Sequence, residues 1–359
     1  MSYLHSIYKC YNKLLNSLNY AFNSSNCVHH IIKSFSSIRK MPLGFVKINE
    51  FNKENLKTCG LQLICHVWQE FKKEQNHLRA YVNEILHSIF FLGIIHKDSL
   101  TPEDILSPKM AETVRREFPE PFKKYKSHLP KRTPFSILLE MMQLTYGTKD
   151  RVLPELCSLM EKLEFPYPLG RPANKNQRYY TLESTVICVC SNSQRTSDEY
   201  FGASLGCRTE KAKSVMIYSS CVNTWQEYVS YAVMSFQQQQ GDSLKFHESM
   251  QCQAYLRDWK ENSYKERQPC MNCTQLFSLS EGTEQEHYPY GNCAETECLS
   301  KLLFNDQFMR DSIITRNYTP EKMNVLKDCT RERLQKVLAS IPSLYNVINN
   351  DLLCFNLHS

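Results

Sequence analysis

Apolar residues in the first half of the chain recur at intervals of three and four. Leu78, Tyr81, Val82, Ile85, Leu86 and Ile89 form one such stripe, the spacing of a single helix face. Thr101-Pro102-Glu103-Asp104 supplies a capping hydroxyl, a first-turn proline and acids at the positive helix end. Ser107-Pro108 repeats the start. Phe135 to Tyr146, closed by Gly147, and Val152 to Leu163 predict two more helices, so residues 50–168 read as a mainly helical domain. The Pro- and Gly-bearing stretch at 165–172 interrupts any regular element and marks the domain's end.

Beyond it the pattern shortens. Thr185 to Cys190 is a β-rich apolar run that predicts a buried strand, and residues 200–205 and 214–218 predict two more. Cys188 and Cys190 would share one face of the first strand, as core thiols. A helical stripe from Trp225 to Phe236 runs into Gln237 to Gln240, read as an exposed helix end. Thr319-Pro320-Glu321-Lys322 then opens a C-terminal helix carrying Met323, Leu326, Leu334, Val337 and Leu338. The predicted class is α+β, with the helical domain followed by an α/β domain and C-terminal helices over residues 178–359.

Charge sharpens this division. The net charge is +6, yet no acidic residue precedes Glu50, whereas Lys9, Lys13, Lys33, Arg39, Lys40 and Lys47 do. The remaining chain holds 37 residues of each sign, which excludes a generally basic nucleic-acid coat protein. Residues 1–49 form a basic, amphipathic, Ser-rich segment. Three readings fit it: a mitochondrial presequence, a helix packed on the body, or an extension upstream of a start at Met41. No apolar run approaches the roughly 18 residues of a membrane span. With no secretory signal, the 16 cysteines read as reduced thiols of an intracellular protein, cytoplasmic or nuclear.

Four of those cysteines stand close together. Pro269-Cys270-Met271-Asn272-Cys273 is followed by Gly291-Asn292-Cys293-Ala294-Glu295-Thr296-Glu297-Cys298. Cys-x-x-Cys places two thiolates one turn apart, and a third at Cys293 leaves a tetrahedral metal one position for water. A helix starting near Asn292 would direct its positive end at the thiolates. Glu295, two residues from Cys293, is placed to hold that water and move protons. Cys298 or His287 could instead close the site as a fourth ligand, giving a structural zinc, or the thiols could be buried without metal.

Pro-Cys-x-x-Cys and Cys-Ala-Glu resemble the paired motifs of the zinc-dependent cytidine and nucleic-acid deaminase superfamily. The likeness covers about thirty residues, with the two motifs in reversed order. It implies a deaminase-like domain in which Cys270, Cys273 and Cys293 hold zinc and Glu295 shuttles protons. The reaction implied is hydrolytic removal of an amino group from a nucleobase, free or in nucleic acid. The competing class is a non-catalytic scaffold with a structural zinc. A cationic patch, Lys123, Lys124, Lys126, Lys131 and Arg132, alternates with Phe122 and Tyr125 and is the candidate nucleic-acid contact.

Overall fold

The computed structural model describes residues 48–74, 77–95, 99–163, 182–194, 198–207, 209–258, 260–280 and 288–356. The basic segment up to residue 47, the 165–172 boundary and His287 lie outside them.

Helices come first, in the order α1 (Ile48–Glu74), α2 (Arg79–Ile95), α3 (Pro102–Ile105), α4 (Pro108–Glu117), α5 (Pro119–Lys124), α6 (Pro134–Tyr146) and α7 (Lys149–Leu163). The hydroxyl-proline starts act as caps. Thr101 accepts the Asp104 amide while the Asp104 carboxylate accepts that of Thr101, a reciprocal capping box. Ser107 likewise accepts from Met110. At the other end of α6, Gly147 holds φ at +79°, a conformation glycine adopts at little cost. The predicted apolar stripe lies on α2, whose segment from Ile85 to Ile95 is buried on every side. It is therefore the axis of this layer rather than a surface helix.

Strands β1 (Val186–Asn192) and β2 (Glu199–Ala203) follow, then α8 (Glu210–Asn223), α9 (Glu227–Gln237), β3 (Met250–Asp258), β4 (Ser263–Arg267) and α10 (Met271–Phe277). The described chain closes with α11 (Ala294–Asn305), α12 (Gln307–Asp311), α13 (Pro320–Ala339), a short 3-10 turn (Pro342–Leu344) and α14 (Tyr345–Asn349). Thr319 caps α13 by accepting the Lys322 amide. The four strands pair antiparallel in the order β2-β1-β3-β4, and with helices on either side in sequence the class is α+β.

The sheet separates two cores because side chains alternate along a strand. Ile187, Val189, Phe201, Ala203 and Tyr255 face the apolar cluster built by the N-terminal helices. Cys188 and Cys190, one residue out of phase, face a second cluster with Leu299, Leu302 and Leu303 of α11. The first cluster also takes in Leu334 and Leu338 of α13, so it spans residues on both sides of the 165–172 stretch. Among the described residues, no helix is long and apolar enough to cross a membrane.

Two expectations change. Residues 214–218 are helix rather than strand: Thr209 caps α8 by accepting the Ala212 amide, and Ala212, Val215, Met216 and Ser219 are buried at helical spacing. A short apolar run fits either a buried strand or a buried helix, and here the cap decides. The glutamine run is only partly exposed, since Gln237 and Gln238 donate to the Tyr290 and Leu326 carbonyls.

Candidate metal centre

Two helix starts converge at the predicted site. Cys270 is the residue before α10, and Cys273 lies in its first turn. Cys293 is the residue before α11. The link between them turns at Gly291, with φ at +93°, where an added Cβ would approach Ile217, Trp225 and Val233 to 3.0–3.1 Å. Both conformation and crowding require glycine there. Asn292 ties the turn down: its amide donates to the Pro289 carbonyl and its carbonyl accepts the Leu205 amide, each at 3.0 Å. The Asn272 side chain donates to the Tyr288 carbonyl.

The three sulfurs meet. Cys270 Sγ lies 3.6 Å from Cys273 Sγ and 3.4 Å from Cys293 Sγ. Thiolates around a tetrahedral zinc, with bonds of about 2.3 Å, would be separated by about 3.8 Å. The thiols of Cys273 and Cys293 face Cys270 and hold it well below the usual thiol range, helped by the backbone amides of Cys273 and Asn272. Their own thiols are raised by the same contact. The arrangement gathers negative charge at the positive ends of two helices, which suits a soft cation.

Glu295 sits in the first turn of α11 and is buried. Burial pushes its carboxyl up to about 7, with the Cys252 and Cys270 sulfurs adding to the shift. It lines a cavity of about 270 Å³ together with Cys270, Cys293, Asn292, Lys213 and Arg267. The Asn292 side-chain oxygen is buried and has no hydrogen-bond partner among the described residues. Cys270, Cys273, Cys293 and Glu295 are thus brought together, with space beside them for a small ligand.

Cys298 lies elsewhere. Five residues along α11 from Cys293, it turns from the first site, and its sulfur sits with those of Cys188 and Cys190, all within 4.8 Å of one another. Two groups of three cysteines are therefore each arranged so that they can hold a metal ion. Cys188 and Cys190 are buried core thiols, as the sequence predicts, and they also belong to the second group. Their spacing of two, which puts both sulfurs on one strand face, was the available signal. The ligand that completes the set comes from a helix more than 100 residues away.

The cationic patch is divided between side chains tied to the body and others that stay exposed, Lys123 and Lys126 among the latter. Arg132 grips Glu84 with two bonds of 2.9 and 2.8 Å and also binds Glu140, so its guanidinium serves a buried ion network. Lys124 donates to the Asn356 carbonyl, Lys123 pairs with Glu120 at 3.0 Å, and Lys126 lies over the Tyr125 ring. Lys131 is half-buried beside Arg132. Phe122 and Tyr125 pack on Phe90 with ring centroids 4.9 and 6.1 Å apart. The two rings are half-buried and pack against the N-terminal core.

Comparison of the chain with protein-family models, with characterised proteins and with solved structures finds no match.

Proposed function

We propose that the protein is a zinc-dependent hydrolase that removes the exocyclic amino group of a nucleobase, free or as part of a small nucleic-acid component. The observation that carries the reading is the placement of Glu295. It is a buried carboxyl on the first turn of α11, sharing one cavity with the thiols of Cys270 and Cys293. A structural zinc has no use for an acid at that point, and an open site has.

Cys270, Cys273 and Cys293 would hold the metal, which when bound supplies a water acidic enough to ionise near neutral pH. The rest falls to the chain's own groups. Glu295 accepts the proton of the attacking water and delivers it to the ring nitrogen. The water oxygen bonds to the ring carbon, the bond from that carbon to the amino nitrogen breaks, and ammonia leaves with the second proton. The ring keeps a carbonyl where the amine was. Asn292, whose side-chain oxygen has no partner among the described residues, supplies an acceptor for an N–H of the substrate. The cavity lies just below the roughly 300–1,000 Å³ of ordinary ligand pockets, which favours one small ring.

The test compares wild type with Glu295→Gln on cytosine, adenine, their nucleosides and short single-stranded oligonucleotides, following ammonia release. The variant should keep its metal and its fold while losing about 10²–10⁴ of the rate. Deamination of none of these compounds by zinc-loaded wild type, or an unaltered rate in the variant, rejects the reading and leaves a scaffold role.

A further inference from the structure

We infer that Cys188, Cys190, Cys252 and Cys298 form a second, closed metal site, a mononuclear four-thiolate centre for zinc that fastens α11 to the sheet. This inference is independent of the reaction assigned to Glu295.

Strand register brings the first three thiols together. Cys188 and Cys190 are two apart on β1 and share a face. Cys252 on β3 is the direct cross-strand partner of Cys190, so it projects from that same face. This is the face that α11 covers, and Cys298 comes down from the helix onto it. Cys188 Sγ lies 3.7 Å from Cys190 Sγ and 3.4 Å from Cys252 Sγ. The sulfur of Cys298 falls within 4.8 Å of those of Cys188 and Cys190.

About 3.8 Å is the edge of a tetrahedron of thiolates around one zinc, which the 3.7 and 3.4 Å separations approach. Cys252 stands outside the group of three whose sulfurs all lie within 4.8 Å of one another and would close the tetrahedron by a side-chain rotation. All four cysteines are free thiols, although Cys190 and Cys252 stand opposite each other on paired strands. A closed sulfur tetrahedron suits zinc, or iron in its place. None of the four lines the cavity at Glu295.

Hydrogen bonding fits as well. Without metal the Cys298 thiol donates to the Tyr200 carbonyl at 2.9 Å. Ligation removes that proton, and the strand contact passes to the metal. The consequence is mechanical: α11 carries Cys293 at its start and Glu295 in its first turn, so a clamp at Cys298 fixes where both project.

The experiment measures metal in the full-length chain purified under reducing conditions and loaded with zinc or with cobalt(II). Wild type should hold two ions. Cys252→Ser and Cys188→Ser should each take the count to one, and Cys270→Ser should remove the other. Cobalt-loaded Cys270→Ser should keep the intense visible bands of a four-thiolate tetrahedral site. If the serine variants do not fold, Cys252→His, which retains a zinc ligand, should keep two ions with a weakened sulfur-to-cobalt band. A wild-type count of one is assigned to one cluster or the other by these variants. A single ion lost in Cys270→Ser, a count indifferent to Cys188→Ser and Cys252→Ser, or a native disulfide between Cys188 and Cys252 overturns the inference. A single ion lost in Cys252→Ser but kept in Cys270→Ser sustains it while removing the metal from the proposed reaction.

Discussion

The two thiol clusters use one chemistry in opposite architectures. The Cys270 cluster lies at the ends of two helices and opens onto a cavity that also holds Glu295. The Cys188 cluster lies between the sheet and α11, with Cys188, Cys190 and Cys298 buried and Cys252 half-buried. The first combines thiols with a buried acid and an amide oxygen that has no partner among the described residues, and the second sets them mainly among apolar side chains. Burial is similar in both, so the proposed difference between a reactive site and a clamp rests on what else shares the space. Helix α11 contributes Cys293 and Glu295 to one and Cys298 to the other, which couples them through its position.

The largest effect that separates them should come from the wall of the open cavity. Glu183 lines that cavity and pairs with Arg257 at 3.0 Å, with both side chains at most 3% exposed. Removing one partner leaves the other buried and charged, at a cost of about 3–5 kcal/mol. Glu183→Ala should lower the denaturation midpoint accordingly and abolish the cavity's reaction, yet leave the ion at Cys188 in place. Loss of both ions on this substitution would mean that the clusters do not behave separately.

Gly202 tests their coupling. A Cβ there would lie 2.3 Å from the Ala294 carbonyl oxygen and 2.4 Å from the Cys298 amide, both backbone atoms of α11 that cannot swing aside. Gly202→Ala should push the helix off β2, costing about 2–4 kcal/mol and weakening metal binding at both clusters. Gly147→Ala is the contrast. Its φ of +79° is strained for alanine, but nothing lies within 4 Å, so about 1 kcal/mol is expected and no metal is lost. Equal effects from the two substitutions would dissolve the coupling argument.

Legibility in the sequence follows from how local each cause is. The helices announced themselves through caps at Thr101, Ser107 and Thr319, each completed within three residues. The open cluster was legible for the same reason, since Cys-x-x-Cys and Cys-Ala-Glu are short patterns. The closed cluster was not. Its members come from β1, β3 and α11, and only the pairing of Cys190 with Cys252 shows that they share a face. Strand β3 escaped prediction because Gln251, Gln253 and Arg257 break its apolar content. Arg132 misled in the opposite direction: in sequence it belongs to a cationic run, and in space its partners are Glu84 and Glu140 on α2 and α6.

Acid titration gives the finest separation of the two clusters from the rest of the fold. Metal thiolates release their ion as protons compete for sulfur, so both clusters should destabilise the protein as pH falls. His87 acts in the same direction from the metal-free N-terminal core. It is wholly buried, stacks on Phe355 with centroids 4.2 Å apart, and burial lowers its pKa to about 3. Above the unfolded value near 6.5 neither state binds a proton, and the fold keeps its full stability. Below it the unfolded chain protonates and the folded chain does not, so stability declines toward pH 3. Between pH 6.5 and 5 that amounts to about 2 kcal/mol, at 1.36 kcal/mol per unit. His87→Leu should remove this slope and leave an acid limb that coincides with zinc release. Parallel limbs in wild type and variant would show instead that the thiolates alone set the acid limit, and that the helical core contributes nothing to it.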